Sequence, residues 1–388
     1  MTADSVPPDR PAIGVGVVGL GFMGRTHVAA YVGASRAGFP CRLVAVCDSD
    51  PRRRAGEAGE SGNLQTGAAA FDPASVRAHG CFESMLADPD VRLISICTPT
   101  QTHVELASAA LRAGKHVLVE KPVAITTEPI RELRAVAAEA KTLIMPAMCM
   151  RFWPAWSWLK DAMDSGRYGR LRALNLQRIG AAPAWSAWFA DPAASGGAMV
   201  DLHIHDVDFI RFCLGRPSAV TSGGHLNHVT TMYHFDDPSL HVTAQGGWLA
   251  PGTPFRMRYL AEFEQATADF DLSRSDQLLL HHKGSSEPID VGSLTGYDLE
   301  VRHFVQAVAM LESPGSAPAV HHAPASAASH AAAGSRPAAP SPGATRPTLR
   351  ATLDDAIDVA ILLETEQYAV ECGRRVQIMW GVEEPPGH

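Results

Sequence analysis

Apolar residues fall first into five short, unbroken runs. Residues 13–18 read IGVGVV, 43–47 LVAVC, 91–97 VRLISIC, 116–119 HVLV and 143–148 LIMPAM. Unbroken rather than alternating runs of this length predict strands covered on both faces. Helical spacing fills the gaps. Residues 24–32 follow the first run. Residues 102–113 place Val104, Leu106, Ala107, Ala110 and Leu111 on one face, and Gly114 stops them. Residues 128–141 repeat the arrangement. Strand–helix alternation of this kind predicts βαβ units and a parallel sheet.

The pattern changes near residue 150. Residues 151–190 carry five tryptophans, and 201–214 read as a helix closed by Gly215-Arg216-Pro217. Strand-like stretches then follow one another at 219–226, 230–235, 241–248, 257–263, 266–272 and 277–281. Consecutive strands without intervening helices predict an antiparallel sheet. Helices are expected at 300–311 and 354–372, the latter with Gly373 past its end. The expected division is a short tail at 1–10, a dinucleotide-binding unit at 11–149, and a substrate-binding and oligomerisation unit at 150–388. Residues 313–349 interrupt the second unit. Of these 37 residues, 28 are Ala, Pro, Ser or Gly and none is acidic. Such a stretch has too little apolar surface to offset the entropy of ordering, so a disordered, dispensable insertion is expected. Its three histidines (321, 322 and 330) read as part of a drifted loop rather than as metal ligands.

Composition narrows the function classes. The chain has 388 residues and a net charge of −8, which disfavours a polyanion such as DNA as the main partner. No apolar run reaches the ~18 residues that a membrane helix needs. The first ten residues lack the order of a secretory signal, which points to the cytoplasm. Seven scattered cysteines, none in C-x-x-C spacing, argue against a disulfide framework or a four-cysteine zinc site.

Three clusters carry candidate chemistry in the first half. Gly19-Leu20-Gly21-Phe22-Met23-Gly24 follows a predicted strand and opens a predicted helix, the setting in which G-x-G-x-x-G cradles a pyrophosphate. Asp48 ends the second strand, where a carboxylate accepts ribose hydroxyls and repels a 2′-phosphate. NAD is therefore expected over NADP, although Arg52, Arg53 and Arg54 follow closely. Thr98, Pro99, Thr100 and His103 lie at the carboxyl end of the third run, where ligands bind in open α/β sheets. Glu120-Lys121-Pro122 ends the fourth, and a lysine there can hydrogen-bond a reacting oxygen. Pro122 is a candidate for a cis bond. Each cluster also has a bland reading: a glycine-rich turn in an unrelated α/β domain for the first, a surface helix residue for His103, and a solvated turn for Glu120-Lys121-Pro122.

GLGFMGRTH, CTPTQTHVELASAALRAGKHVLVEKP and GGAMVDLHIHDVDFIRFCLG, in this order and spacing, resemble the glucose–fructose oxidoreductase/inositol dehydrogenase/rhizopine-catabolism (Gfo/Idh/MocA) family. The resemblance runs from about residue 13 to 224 and resumes weakly after the insertion. It implies a Rossmann domain followed by an α+β domain with a large open, mostly antiparallel sheet. It also implies NAD(P)-linked oxidation or reduction of a sugar, polyol or related hydroxy compound, and a homodimer or homotetramer built through the open sheet. The resemblance places a catalytic acid/base at His205 and a supporting carboxylate at Asp201.

On a regular helix, Asp201, His205 and Asp208 share one face, and His203 points elsewhere. Arg151, Trp185 and Trp188 are candidates for lining a carbohydrate pocket, since aromatic faces stack on sugar C–H surfaces. Core packing is the competing reading for any single tryptophan. Two other functions compete with the dehydrogenase: a non-catalytic NAD-binding regulator, and a hydrolase holding a metal through His203, His205, Asp206 and Asp208. Retention of both Lys121 and His205 counts against the first. Helical spacing, which separates His203 from His205, counts against the second.

Overall fold

The computed structural model describes residues 12–57, 71–183, 189, 191, 195–313 and 347–381. Six strands form a parallel sheet: β1 (Ile13–Val18), β2 (Cys41–Cys47), β3 (Arg77–His79), β4 (Leu93–Ile96), β5 (His116–Glu120) and β6 (Ile144–Ala147), in the order β3-β2-β1-β4-β5-β6. Every residue of β1, β4, β5 and β6 is buried, which is why these runs are apolar without alternation. Helices Phe22–Arg36, His103–Arg112 and Thr127–Glu139 supply the crossovers. Strand order reverses between β1 and β4, so the carboxyl ends of these two strands open a crevice at the switch point.

Nine strands form the second sheet: β7 (Leu171–Ala181), β8 (Ala219–His225), β9 (His228–His234), β10 (His241–Leu249), β11 (Arg256–Phe263), β12 (Ala266–Asp271), β13 (Leu278–His282), β14 (Ser285–Ile289) and β15 (Val376–Gln377). Their order is β14-β13-β12-β11-β7-β10-β9-β8-β15. All neighbours run antiparallel except β7 and β10. In β11 buried and exposed residues alternate strictly, as expected of a sheet with one covered face. Strand β7, the longest and central one, lies in the tryptophan-rich stretch that the hydrophobic pattern left without an element.

The two sheets are joined by more than the chain crossing at residue 150. Val301, Phe304, Val305 and Val308 of helix Gly296–Leu311 pack into the core of the first sheet. Helix Leu353–Cys372 contributes Leu353 and Ile357 to that core and Val359, Leu362 and Ala369 to the core of the second sheet. It starts with a capping box between Thr352 and Asp355 and ends at Gly373, which adopts the left-handed conformation the sequence predicts there. The tail at 1–10 and nearly all of the insertion lie outside the described residues. Leu349, at the end of the insertion, packs against the first core and so belongs to the fold.

Arg151 departs from its expected place at a substrate pocket. Its side chain is 1% exposed and donates to Asp208 Oδ1 at 2.6 Å, to the Arg350 carbonyl at 2.8 Å and to Asp355 Oδ2 at 3.0 Å. A guanidinium has five donors, and two segments distant in sequence, at Asp208 and at Arg350–Asp355, share them here. Removing one partner of a buried ion pair leaves the other charge uncompensated. Arg151→Ala is therefore expected to cost about 3–5 kcal/mol in urea unfolding. Arg134→Ala, which breaks an exposed pair with Asp354, is expected to cost no more than about 1 kcal/mol. Equal losses would show that the Arg151 pair contributes nothing beyond a surface contact.

Candidate active site

The turn after β1 shows why glycine occupies two of its positions. Gly19 has φ +82°, and a Cβ there would lie 2.6 Å from the Cys97 carbonyl oxygen. A Cβ at Gly24 would lie 1.7 Å from the Gly19 carbonyl oxygen, so this residue sets the approach of the helix to the strand. A Cβ at Gly21 would meet no protein atom within 4 Å, which leaves room for a ligand against the backbone. Helix Phe22–Arg36 starts at Gly21 without a side-chain cap, so its first-turn N–H groups are open to an anion.

Beyond this turn lies a cavity of about 780 Å³ that extends from the first sheet to the second. Gly19, Gly21, Phe22, Met23, Asp48, Thr98, Pro99, Thr100 and His103 line one end, and Glu120, Lys121, Asp201 and His205 line the other. Asp48 accepts the Leu20 N–H on Oδ2 at 2.7 Å and the Asp50 N–H on Oδ1 at 2.8 Å, so its carboxylate is held rigidly at the rim. Of the three following arginines only Arg53 lines the cavity, 3.7 Å from Asp48. Arg52 pairs with Glu57, and Arg54 donates to the Asp48 and Ser49 carbonyls.

His103 is a structural clamp rather than a surface residue. Its Nδ1 lies 2.8 Å from the Pro122 carbonyl and its Nε2 2.8 Å from the Thr98 carbonyl, so the ring sits between two loops of the cavity wall and, when neutral, donates to one of these carbonyls. Burial lowers its pKa. The Lys121–Pro122 bond is cis. Behind the wall, fully buried His27 bonds Ser95 Oγ at 2.7 Å and Glu120 Oε1 at 2.8 Å. Burial disfavours charge on His27, but Cys97 and Glu120 outweigh it and hold its pKa well above the ordinary value. Burial likewise opposes charge on Glu120, yet His27 and Lys121 keep its pKa low. Glu120 Oε2 accepts the Lys121 N–H at 3.0 Å, which anchors the backbone under the lysine.

Lys121 Nζ donates to the Asp201 carbonyl at 2.6 Å and to Asp201 Oδ1 at 3.0 Å. Asp201 belongs to a π-helical turn, Met199–His203, that precedes helix Ile204–Leu214. A π turn is wider than an α turn and changes the angular spacing of its residues. Asp201 and His205 still line one cavity, whereas Asp208, inside the regular helix that follows, is drawn away from it to Arg151. Asp201 meets Lys121, His205 Nδ1 lies 3.9 Å from Cys149 Sγ, and Asp208 pairs with Arg151. Burial first, then the charges of Lys121 and Arg178, push the His205 pKa well below 6.5. His205 is thus neutral and able to accept a proton near pH 7.

The metal reading fails on the same geometry. His203 faces away to Glu366 at 2.9 Å, Asp206 pairs with Arg178 and Asp208 with Arg151. Among the described residues no three His, Cys, Asp or Glu side chains could hold an ion. Trp156 is core, packed edge-on against Tyr259 and Phe270, whereas Trp153 lines the cavity beside Tyr297. Trp185 and Trp188 lie outside the described residues. The pattern missed Arg178, Met257 and Tyr297 in the cavity wall. The alternation Leu174, Leu176, Arg178 marks one face of a strand and was the signal available for the first.

Residues 13–148 match the family profile described as oxidoreductase family, NAD-binding Rossmann fold, and residues 156–277 match the Gfo/Idh/MocA C-terminal domain. The chain belongs to the Gfo/Idh/MocA oxidoreductase family. It is 31% identical over 220 residues to inositol 2-dehydrogenase of Rhizobium meliloti, covering 53% of this chain and 57% of that one. It is 30% identical over 221 residues to levoglucosan dehydrogenase of Pseudarthrobacter phenanthrenivorans, covering 54% and 53%. The chain thus spans about half the length of these curated relatives. A solved structure of levoglucosan dehydrogenase in complex with NADH and levoglucosan superposes with a TM-score of 0.71 at 20% identity, over 95% of this chain and 99% of that one, and shows the shared fold.

The open backbone at Gly21, the uncapped helix start and the held carboxylate of Asp48 all fit a dinucleotide. Gly21→Ala is expected to leave the melting temperature unchanged and to weaken NAD binding at least tenfold by calorimetric titration. Gly24→Ala is expected to lower the melting temperature itself. Equal NAD affinity of Gly21→Ala and the wild type would place the pyrophosphate elsewhere.

Proposed function

We propose that the chain is an NAD-dependent dehydrogenase or reductase that transfers a hydride between nicotinamide and a secondary hydroxyl or carbonyl of a sugar or polyol. The observation that carries this reading is that Lys121, from the end of β5, and neutral His205, from the second domain, line the same cavity as the dinucleotide turn. When bound, the dinucleotide supplies the hydride acceptor or donor. Lys121 has three N–H bonds, and Asp201 takes two of them. The third is available to the reacting oxygen, where it stabilises developing negative charge. His205 has Nδ1 turned toward Cys149, which leaves Nε2 to take the hydroxyl proton. Asp201 acts as a positioning residue that holds the ammonium. In reduction the same groups act in reverse. We further propose a cytoplasmic homo-oligomer assembled through the open face of the second sheet. None of the described helices is long and apolar enough to cross a membrane.

General-base catalysis contributes ~10²–10⁴-fold in rate. His205→Ala and Lys121→Ala are each expected to lower kcat at least about a hundredfold on a verified substrate. NAD affinity of His205→Ala should stay near wild type, and Asp201→Asn should cost less than either. Since the His205 pKa lies below 6.5, the neutral base persists as the pH falls through that value. The acid limb of kcat/KM should therefore lie below pH 6.5. A limb at or above it, or His205→Ala turnover within a few-fold of wild type, would leave His205 a structural residue.

Asp48 supports NAD as the preferred cofactor. Asp48→Ser is expected to shift preference toward NADP, because Arg53 remains beside the cavity once the carboxylate is gone. Tighter NADP than NAD binding by the wild type would contradict this assignment.

A further inference from the structure

Arg178 is buried at 3% exposure on the covered face of β7, next to Met257 of β11 in register. Its Nε and Nη2 donate to Asp206 at 3.2 and 2.7 Å. Asp206 does not line the cavity, so this edge of the guanidinium faces away from it. Nη1 instead lies 2.8 Å from Met257 Sδ, and Arg178 and Met257 both line the cavity. A thioether is a weak acceptor, whereas a buried guanidinium calls for charged or strongly polar oxygens. The cavity-side edge of a buried cation is thus matched to a poor partner, while Nε and Nη2 on its other edge are held by Asp206.

Two cations, Lys121 and Arg178, line this end of the cavity. Lys121 and Arg178 both act on His205 as positive neighbours. Of the carboxylates lining this end, Asp201 is taken by Lys121 and Glu120 by His27 and the Lys121 N–H. Among the described residues no carboxylate other than that of Asp206 lies within ion-pair distance of Arg178. We propose that Arg178 is a specificity-determining residue that binds a carboxylate on the substrate, so that the preferred substrates are acidic sugars or polyols rather than neutral ones. Resting on the dehydrogenase reading above, the inference narrows its substrate class. Carboxylate and guanidinium geometries match, and the Asp206 pair behind holds the guanidinium plane in place before the ligand arrives.

Binding tests this separately from turnover. The full chain, saturated with NADH, is titrated calorimetrically with two matched pairs: gluconate against sorbitol, and glucuronate against glucose. At least one acid is expected to bind tenfold or more tightly than its neutral partner. Arg178→Lys retains a positive charge opposite Asp206 but loses the planar fork, and should reduce that ratio to within threefold while leaving NADH affinity unchanged. Because an unpaired Asp206 could unfold the chain, Arg178→Met is made together with Asp206→Asn as a second variant, and it should lose the ratio as well. Neutral ligands binding as tightly as both acids, absence of binding by both acids, or a ratio that survives in folded Arg178→Lys would overturn the inference. Nicotinamide absorbance is followed with the same four compounds and NAD+ in place of NADH as the hydride acceptor. Acid-selective binding without turnover of any compound would count against the dehydrogenase reading and leave the Arg178 assignment standing.

Discussion

The contact between Lys121 Nζ and Asp201 is the interaction on which the site depends. It joins the carboxyl end of β5 in the first sheet to the π turn ahead of helix Ile204–Leu214 in the second domain. It holds the ammonium against the segment that leads into the helix carrying His205. The π turn matters because a carbonyl inside a regular helix is committed to its own ladder, whereas Asp201 offers both its carbonyl and its carboxylate to one ammonium. The lysine is fixed from the other side as well, through the chain of hydrogen bonds from His27 to Glu120 to the Lys121 N–H. A reacting group held from two directions loses little freedom when substrate binds, which is the physical content of preorganisation.

Electrostatics then divides the labour. His27 and Glu120 form a buried, mutually satisfied ion pair, so their charges stay behind the wall. Lys121 and Arg178, which both line the substrate end, help burial to keep His205 neutral. The cations that would stabilise an oxyanion are thus the same groups that prevent the base from being protonated in advance. That coupling is economical, and it means that a substitution at either cation acts on His205 too.

Much of this was legible in the residues. The parallel sheet followed from unbroken apolar runs, because strands covered on both faces have no polar side to show. Gly19, Gly21 and Gly24 announced themselves by their setting between a strand and a helix. What could not be read was geometry that depends on a distant partner. Arg151 and Arg178 look alike in the sequence, each a lone arginine in an apolar stretch. One is consumed by Asp208, Asp355 and the Arg350 carbonyl, and the other reaches the cavity because its partner Asp206 lies behind it. Of Asp201, His205 and Asp208, the first two do reach one cavity, while Asp208 is taken by Arg151, a partner distant in sequence that residue spacing does not announce. Strand β7 was hidden by the tryptophans around it, although Leu174 and Leu176 alternate as a half-buried strand requires.

The central claim is that Lys121 and His205 act on one substrate oxygen in one transition state. The most direct measurement is a double-mutant cycle in kcat/KM with His205→Ala, Lys121→Ala and the combined variant. Groups that act as a unit are strongly non-additive. The combined variant is expected to be slower than the worse single variant by no more than a few-fold. Losses that multiply, so that two hundredfold defects combine to about ten-thousandfold, would mean that the two residues act independently and would contradict this account of the site.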